Sequence, residues 1–135
     1  MTHKPRRQAL LQLDLETVLS VTRALAAPFD LRSMLATVTR TACGVLRAER
    51  ASVWLLDEVR HELVLEVATD LSQVRLAVGT GLVGACARDG VTINVPDCYA
   101  DPRFDREIDA RTGFHTRCSV TLPLVDHRAQ LIGVM

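Results

Sequence analysis

The chain has 135 residues, of which 48% are apolar and 24% are charged, with 16 basic and 16 acidic side chains. This length and composition are typical of one globular domain with its own core. The formal net charge of zero excludes the strong positive field that attracts nucleic acids or anionic membranes, so neither is an expected partner.

Neither a signal peptide nor an apolar run of membrane-spanning length occurs in the sequence. The four cysteines show no CxxC spacing, which favours reduced thiols and a cytoplasmic location. Residues 1–9 are predicted to be a solvated N-terminal tail, and residues 10–135 the folded domain.

A heptad seam is the first periodic feature of the chain. Its members follow 4,3,4,3 spacing on one helix face: Leu11, Leu15, Val18, Thr22 and Leu25. Pro28 is predicted to end this helix. Two interpretations are open, a helix that faces the core and a helix that forms a homodimer.

A second amphipathic helix is predicted after Asp30, a residue type that caps helix N-termini. Its apolar stripe consists of Leu31, Met34, Leu35, Val38, Ala42, Val45 and Leu46. Gly44 weakens the helix, and we interpret it as a point of close approach to another backbone.

The period then changes to two, which indicates strands. Strands are predicted at residues 52–56, 62–67, 74–78, 92–94, 118–125 and 131–135, with a short helix at 82–88. Helices combined with antiparallel strands predict an α+β fold, a sheet covered by helices. Because the chain stops within the last strand, we expect the sequence to be a piece of a longer protein.

Residues 79–84 match the GxGxxG pattern of dinucleotide-binding proteins. A dinucleotide site needs a buried parallel strand before this pattern. The preceding strand instead alternates apolar and polar residues, so the pattern predicts a tight turn into a short helix.

The polar stretch at residues 94–117 is too long for a plain connector and is predicted to be a lid over a small-molecule pocket. A helix at residues 105–111, ended by Gly113, would place Asp109 and Thr112 on one face. Thr116 follows, so two hydroxyls and a carboxylate converge. The alternative is that Asp109 and Thr112 only satisfy local backbone groups.

The ordered motifs of the chain resemble a GAF domain. They are ASVWLLD at 51–57, GTGLVG at 79–84, NVPDCYADPRF at 94–104, TGFHTR at 112–117, LPL at 122–124 and LIGV at 131–134. The most similar type is the regulatory domain of cyclic-nucleotide phosphodiesterases and bacterial adenylyl cyclases, and the resemblance covers residues 10–135. The C-terminal helix and part of the last strand of that fold would lie beyond Met135.

The resemblance implies a sensor domain rather than an enzyme, built on a central six-stranded antiparallel sheet with helices on both faces. It implies a small ligand, with a cyclic nucleotide as one candidate, and a downstream effector domain. The ligand-binding residues that it implies are Ser52, Leu82, Val83, Asp109, Thr112 and Thr116. Asp105 stands where some cyclic-nucleotide binders have an aromatic lid residue.

Other functions are alternatives to ligand sensing. Some relatives reduce free methionine sulfoxide, and Cys86, Cys98 and Cys118 fall on elements that would border the pocket. Bilin or haem attachment through Cys118 or His115 is a further alternative, as is a domain that only dimerises. Cys98, His115, Cys118 and His127 lack the spacing of a metal site, so no metal is expected.

Overall fold

The computed structural model describes residues 15–20, 22–23, 30–68 and 74–135. The chain divides into two compact units, Met1–Asp30 and Leu31–Met135. In the first unit, residues 15–20 and 22–23 are helical, as the heptad pattern predicts. The predicted tail at residues 1–9, the seam positions Leu11 and Leu25, and the helix end at Pro28 lie outside the described residues.

The second unit is α+β. Its helices are α1 (Leu31–Leu46), α2 (Gly81–Asp89) and α3 (Arg106–Thr112), with a 3₁₀ turn at Cys98–Ala100. Its strands are β1 (Ser52–Asp57), β2 (Glu62–Ala68), β3 (Arg75–Ala77), β4 (Ile93–Val95), β5 (Ser119–Thr121), β6 (Pro123–Val125) and β7 (Leu131–Val134). The predicted fold class is therefore confirmed.

The strands form two sheets rather than the single six-stranded sheet that was expected. A five-stranded sheet has the order β3-β2-β1-β7-β6, and β4 pairs only with β5. The predicted strand at 118–125 is divided because it changes partner. Thr121 pairs with Ile93 of β4, whereas Leu122 and Met135 exchange two backbone hydrogen bonds and Pro123 pairs with Val134 of β7.

Helices cover both faces of the five-stranded sheet, as expected. Alternation along β2 places Leu63 and Leu65 on one face and Val64 on the other, and a β-bulge leaves Glu66 without a partner in β1. Helix α1 packs against β1 and β2 and its Arg32 donates to Glu66 at 3.3 Å, but it contributes no residue to the core around Leu63 and Leu65, so α1 lies on the other face. The opposite face packs against α2 in a core that consists of Trp54, Leu63, Leu65, Leu82, Ala85, Cys86, Ala87, Ile93, Val95, Cys98 and Val134.

The predicted apolar stripe of α1 is only partly correct. Leu35 and Ala42 are half-buried and Thr39 is buried, whereas Met34 and Val45 are exposed. The sheet thus covers one narrow strip of the helix, centred on Thr39. The expected backbone neighbour of Gly44 is absent from the described residues, because a Cβ at that position would have nothing within 4 Å.

Gly133 in β7 is the glycine that the sheet requires. It pairs with Leu55 of β1, and a Cβ added there would overlap the carbonyl oxygen of Trp54. A side chain at this position would therefore force β1 and β7 apart in the centre of the sheet.

We expect Gly133→Ala to lower the free energy of unfolding by about 1–3 kcal/mol, the usual cost of overpacking. Gly44→Ala is the matched control, and it is expected to raise stability by about 0.5–1 kcal/mol through better helix propensity. Chemical denaturation of both variants measures the difference. Equal stabilities for the two variants would contradict the close contact at Gly133.

Candidate functional site

The segment at residues 96–117 is called the lid below. Its two ends are held side by side. Val95, the last residue of β4, pairs with Ser119 at the start of β5. The backbone N–H of Cys98 then donates to the carbonyl of Arg117 at 2.8 Å. The lid is therefore a closed loop whose ends are fixed by a two-stranded ladder, which reduces the entropy cost of ordering it.

Turns in the first half of the lid are set by aspartates. Asp97 accepts from the N–H of Tyr99 at 3.2 Å. One carboxylate oxygen of Asp101 accepts from the backbone N–H of Arg103 at 2.9 Å. The other oxygen forms an ion pair with the guanidinium of Arg103 at 2.6 Å. Such aspartate-capped turns fix the backbone locally.

The helix predicted at residues 105–111 is confirmed as α3 (Arg106–Thr112). Asp105 is its N-cap, and this carboxylate accepts from the N–H of Glu107 at 2.9 Å. Gly113 follows α3 with a left-handed φ of 69°. Asp105, which replaces the aromatic residue of some binders, thus has a capping role.

Asp109 of α3 is the centre of the lid and is only 6% exposed. One carboxylate oxygen accepts from the phenol of Tyr99 at 2.8 Å and from the N–H of Thr116 at 2.7 Å. The other oxygen accepts from the hydroxyl of Thr116 at 2.6 Å. Of the three convergent residues predicted from the sequence, the structure therefore joins Asp109 and Thr116 directly.

Thr112 does not bond to Asp109. Its hydroxyl donates to the carbonyl of Ile108 at 3.0 Å and accepts from the N–H of Phe114 at 3.4 Å. Thr112 therefore satisfies local backbone groups, which is the alternative role predicted for it, whereas Asp109 does more than that.

The ionised form of Asp109 is favoured by its surroundings. Burial raises the pKa of this carboxyl group, but the hydrogen bonds from Thr116 and Tyr99 outweigh burial and lower it overall. In return, the pKa of Tyr99 is raised, first by its hydrogen bond to Asp109 and then by burial. Asp109 is thus a buried anion whose charge is compensated by three lid donors.

Tyr99 is the lid residue that the sequence analysis missed. Its ring stacks on His115 at a centroid distance of 4.4 Å and contacts Phe104 at 5.4 Å. The guanidinium of Arg106 lies 4.9 Å from the same ring and donates to the Tyr99 carbonyl at 2.7 Å. The chain contains one tyrosine, but it lies ten positions before Asp109, so spacing alone gave no signal.

The glycine pattern at 79–84 is a tight turn, as predicted. The strand before it, β3, is an antiparallel member at the edge of the sheet, and α2 has nine residues. A Cβ at Gly84 would lie 2.9 Å from the carbonyl oxygen of Ala77, so this glycine lets the helix pack onto its own turn.

The start of α2 lies next to the lid. Gly81 has a φ of 67°, and a Cβ there would lie 3.9 Å from the carbonyl oxygen of Arg103. Leu82 is 8% exposed and belongs to the core, while Val83 and Phe104 are half-buried and pack against that core. The amides of Leu82 and Val83 are in the first turn, where helix N–H groups have no intrahelical acceptor.

Ser52 lies at the start of β1 and is half-buried. Its hydroxyl accepts a 3.0 Å hydrogen bond from the indole N–H of Trp54. Trp54 is the single tryptophan of the chain and is buried in the core.

Two of the three cysteines considered for redox chemistry are in unreactive surroundings. Burial raises the pKa of Cys86 and of Cys98, and both side chains are fully buried. A raised pKa disfavours the nucleophilic thiolate. Cys118 is exposed. Within the described part of the chain, no group of three or more His, Cys, Asp or Glu side chains could hold a metal ion.

Comparison with protein families and curated proteins agrees with this fold. The family model described as GAF domain matches residues 30–135. The dual 3′,5′-cyclic-AMP and -GMP phosphodiesterase 11 of Drosophila melanogaster is 29% identical over an alignment of 147 residues. The alignment covers 95% of this chain and 10% of the relative. The chain thus spans about a tenth of that enzyme's length.

Solved structures give the same fold. The GAF domain of a phosphoenolpyruvate-protein phosphotransferase from Coxiella burnetii is 24% identical with a TM-score of 0.69, covering 89% of this chain and 73% of that one. The free methionine-R-sulfoxide reductase of Neisseria meningitidis, in complex with its substrate, is 24% identical with a TM-score of 0.66, covering 83% and 64%. At these identities the likeness shows the fold alone.

We expect the lid to lose stability on acidification because the pKa of Asp109 is lower in the folded state. The stabilisation is complete above the unfolded-state pKa of about 3.9 and is lost as the pH falls through the folded-state pKa. Amide exchange at Thr116 between pH 5 and the acid limit of folding measures this loss. Asp109→Asn should remove the part of this loss that exceeds the intrinsic pH dependence of amide exchange, and an unchanged acid response in that variant would contradict the assignment.

Proposed function

Because the chain belongs to the GAF domain family, we propose that it is the small-molecule-binding sensor domain of a signalling protein, with a cyclic nucleotide as the first ligand class to test. The ligand site is proposed to lie under the lid and to involve Ser52, Leu82, Val83, Asp109, Thr112 and Thr116. The observation that carries the proposal is the compensated Asp109 anion, because a lid built only as a connector has no need to bury a charge.

The proposed groups offer complementary chemistry to such a ligand. The first-turn amides of Leu82 and Val83 are hydrogen-bond donors at the positive end of a helix, which suits a phosphate. The hydroxyls of Thr112 and Thr116 suit polar edges of a base or ribose. The phosphodiesterase relative is named for cyclic AMP and cyclic GMP, which supports testing both nucleotides.

We place the role in regulation rather than catalysis. The binding event would act on an effector domain of a longer cytoplasmic protein, and it would do so by stabilising the closed lid relative to the open one. In the described part of the chain, no helix is long and apolar enough to cross a membrane.

Homodimerisation through the N-terminal helix is the second part of the proposal. The described seam residues Leu15 and Val18 are 59% and 60% exposed. Their heptad spacing is that of a helix that packs against another helix in a coiled coil. Thr22 is the polar member of the seam, and its hydroxyl donates to the carbonyl of Val18 at 2.8 Å, so it adds no unpaired donor to an interface.

Ligand binding is tested by titrating cyclic AMP and cyclic GMP and following both calorimetric heat and the fluorescence of Trp54. Thr116→Ala is expected to lower the affinity for the nucleotide by about five- to tenfold, which corresponds to the loss of one hydrogen bond. Thr41→Ala, which removes an exposed hydroxyl of α1 that donates to the backbone carbonyl of Thr37 at 2.9 Å, is the control and should bind as the wild type does. Neither heat nor a fluorescence change with either nucleotide would reject this ligand class.

The dimer is tested by light scattering on the double variant Leu15→Glu, Val18→Glu. Charges in an apolar seam are expected to shift the mass from dimer to monomer because a buried, unpaired carboxylate is costly. Ser20→Glu, on the helix face opposite the seam, should leave the mass unchanged. A monomeric wild-type protein at high concentration would refute the seam.

A further inference from the structure

The Asp109 carboxylate has little capacity left for a ligand. Its two oxygens already accept three hydrogen bonds, two from Thr116 and one from Tyr99, and the residue is buried. A carboxylate of this kind acts through the groups that it holds. Its nearest partner, at 2.6 Å, is the hydroxyl of Thr116.

The Thr116 hydroxyl is made an acceptor by this contact. A hydroxyl has one proton, and here the proton is directed to an anionic oxygen in a short, charge-assisted bond. The proton of the Thr112 hydroxyl is likewise directed to the carbonyl of Ile108. Both lid hydroxyls therefore present only lone pairs to a ligand.

Tyr99 fixes the same carboxylate from the other side. Its phenol donates at 2.8 Å, and its ring is held by His115, Phe104 and Arg106. The ring and the phenol tie the first turn of the lid, α3 and the segment at Thr116 into one unit. Removal of the phenol oxygen would release one of the three donors that compensate the buried charge.

We infer that Tyr99 and Asp109 are positioning residues that order the lid and turn the Thr116 hydroxyl into a hydrogen-bond acceptor, so that the favoured ligand presents an N–H or O–H group to the lid. The inference on the ligand rests on the proposed function. The ordering of the lid is a property of the ligand-free protein and is tested separately.

The ligand-free test is amide hydrogen exchange. The N–H of Thr116 donates to Asp109 at 2.7 Å, so Asp109→Asn is expected to speed its exchange about tenfold to a hundredfold, the factor for a hydrogen bond to a charged group. Tyr99→Phe should speed it by about five- to tenfold. Asp101→Asn alters another lid aspartate, whose carboxylate accepts hydrogen bonds from Arg103 in its turn, and should leave the exchange of Thr116 unchanged. Unaltered exchange in both Tyr99→Phe and Asp109→Asn overturns the inference.

The ligand test compares cyclic AMP with purine riboside cyclic phosphate, which lacks the amino group. The wild type should prefer cyclic AMP. In Asp109→Asn the amide of asparagine can donate to Thr116 and free its hydroxyl proton, so the preference should fall by about five- to tenfold. Thr116→Ser keeps the hydroxyl and should retain the preference.

These outcomes separate the inference from the proposed function. A purely structural role for Asp109 would weaken both ligands equally, and an unchanged ratio in Asp109→Asn overturns the acceptor assignment. If the wild type binds neither nucleotide, the proposed ligand class fails. The exchange result then decides alone whether Tyr99 and Asp109 order the lid.

Discussion

A negative charge held under the surface of the lid is the constraint on which the candidate site depends. Asp109 is 6% exposed, and an isolated carboxylate in such a place would be costly. The phenol of Tyr99 and two groups of Thr116 satisfy it. Because these donors come from segments before and after α3, the charge can be buried with its hydrogen bonds satisfied only while the lid is folded around it.

The sheet supplies the second requirement, a fixed base for that lid. The chain leaves β4 at Val95 and returns in β5 opposite the same residue, and then moves to the larger sheet through Leu122 and Pro123. Ile93 and Val95 of the two-stranded ladder belong to the core that packs against α2. A Cβ at Gly81 would lie 3.9 Å from the carbonyl oxygen of Arg103, so the lid and the start of α2 are neighbours.

A sensor built in this way would respond through the order of its lid. A ligand that contacts the lid shifts the protein toward the closed form only by its difference in affinity for the closed and open forms. The Tyr99–Asp109–Thr116 contacts hold the lid in one conformation in the absence of any ligand. Binding to a preordered lid costs less conformational entropy than binding that must also fold it.

Local signals in the sequence determined the elements of this protein. Alternation gave the strands β1 to β3, and Asp105 with Gly113 gave the limits of α3, because caps and side-chain periods act within a few residues. The ordered motifs gave the family. The sequence also placed Asp109 and Thr116 together, since a helix turn and a glycine turn separate them.

Only the tertiary structure decided which groups meet across longer separations. Tyr99 was missed because its contact with Asp109 depends on how two turns and a helix fold onto each other. The division of the 118–125 strand depends on which neighbour each half meets, and the exposed side of α1 depends on the width of the sheet that it covers. A one-dimensional pattern specifies which residues prefer burial, whereas their partners are set by packing in three dimensions.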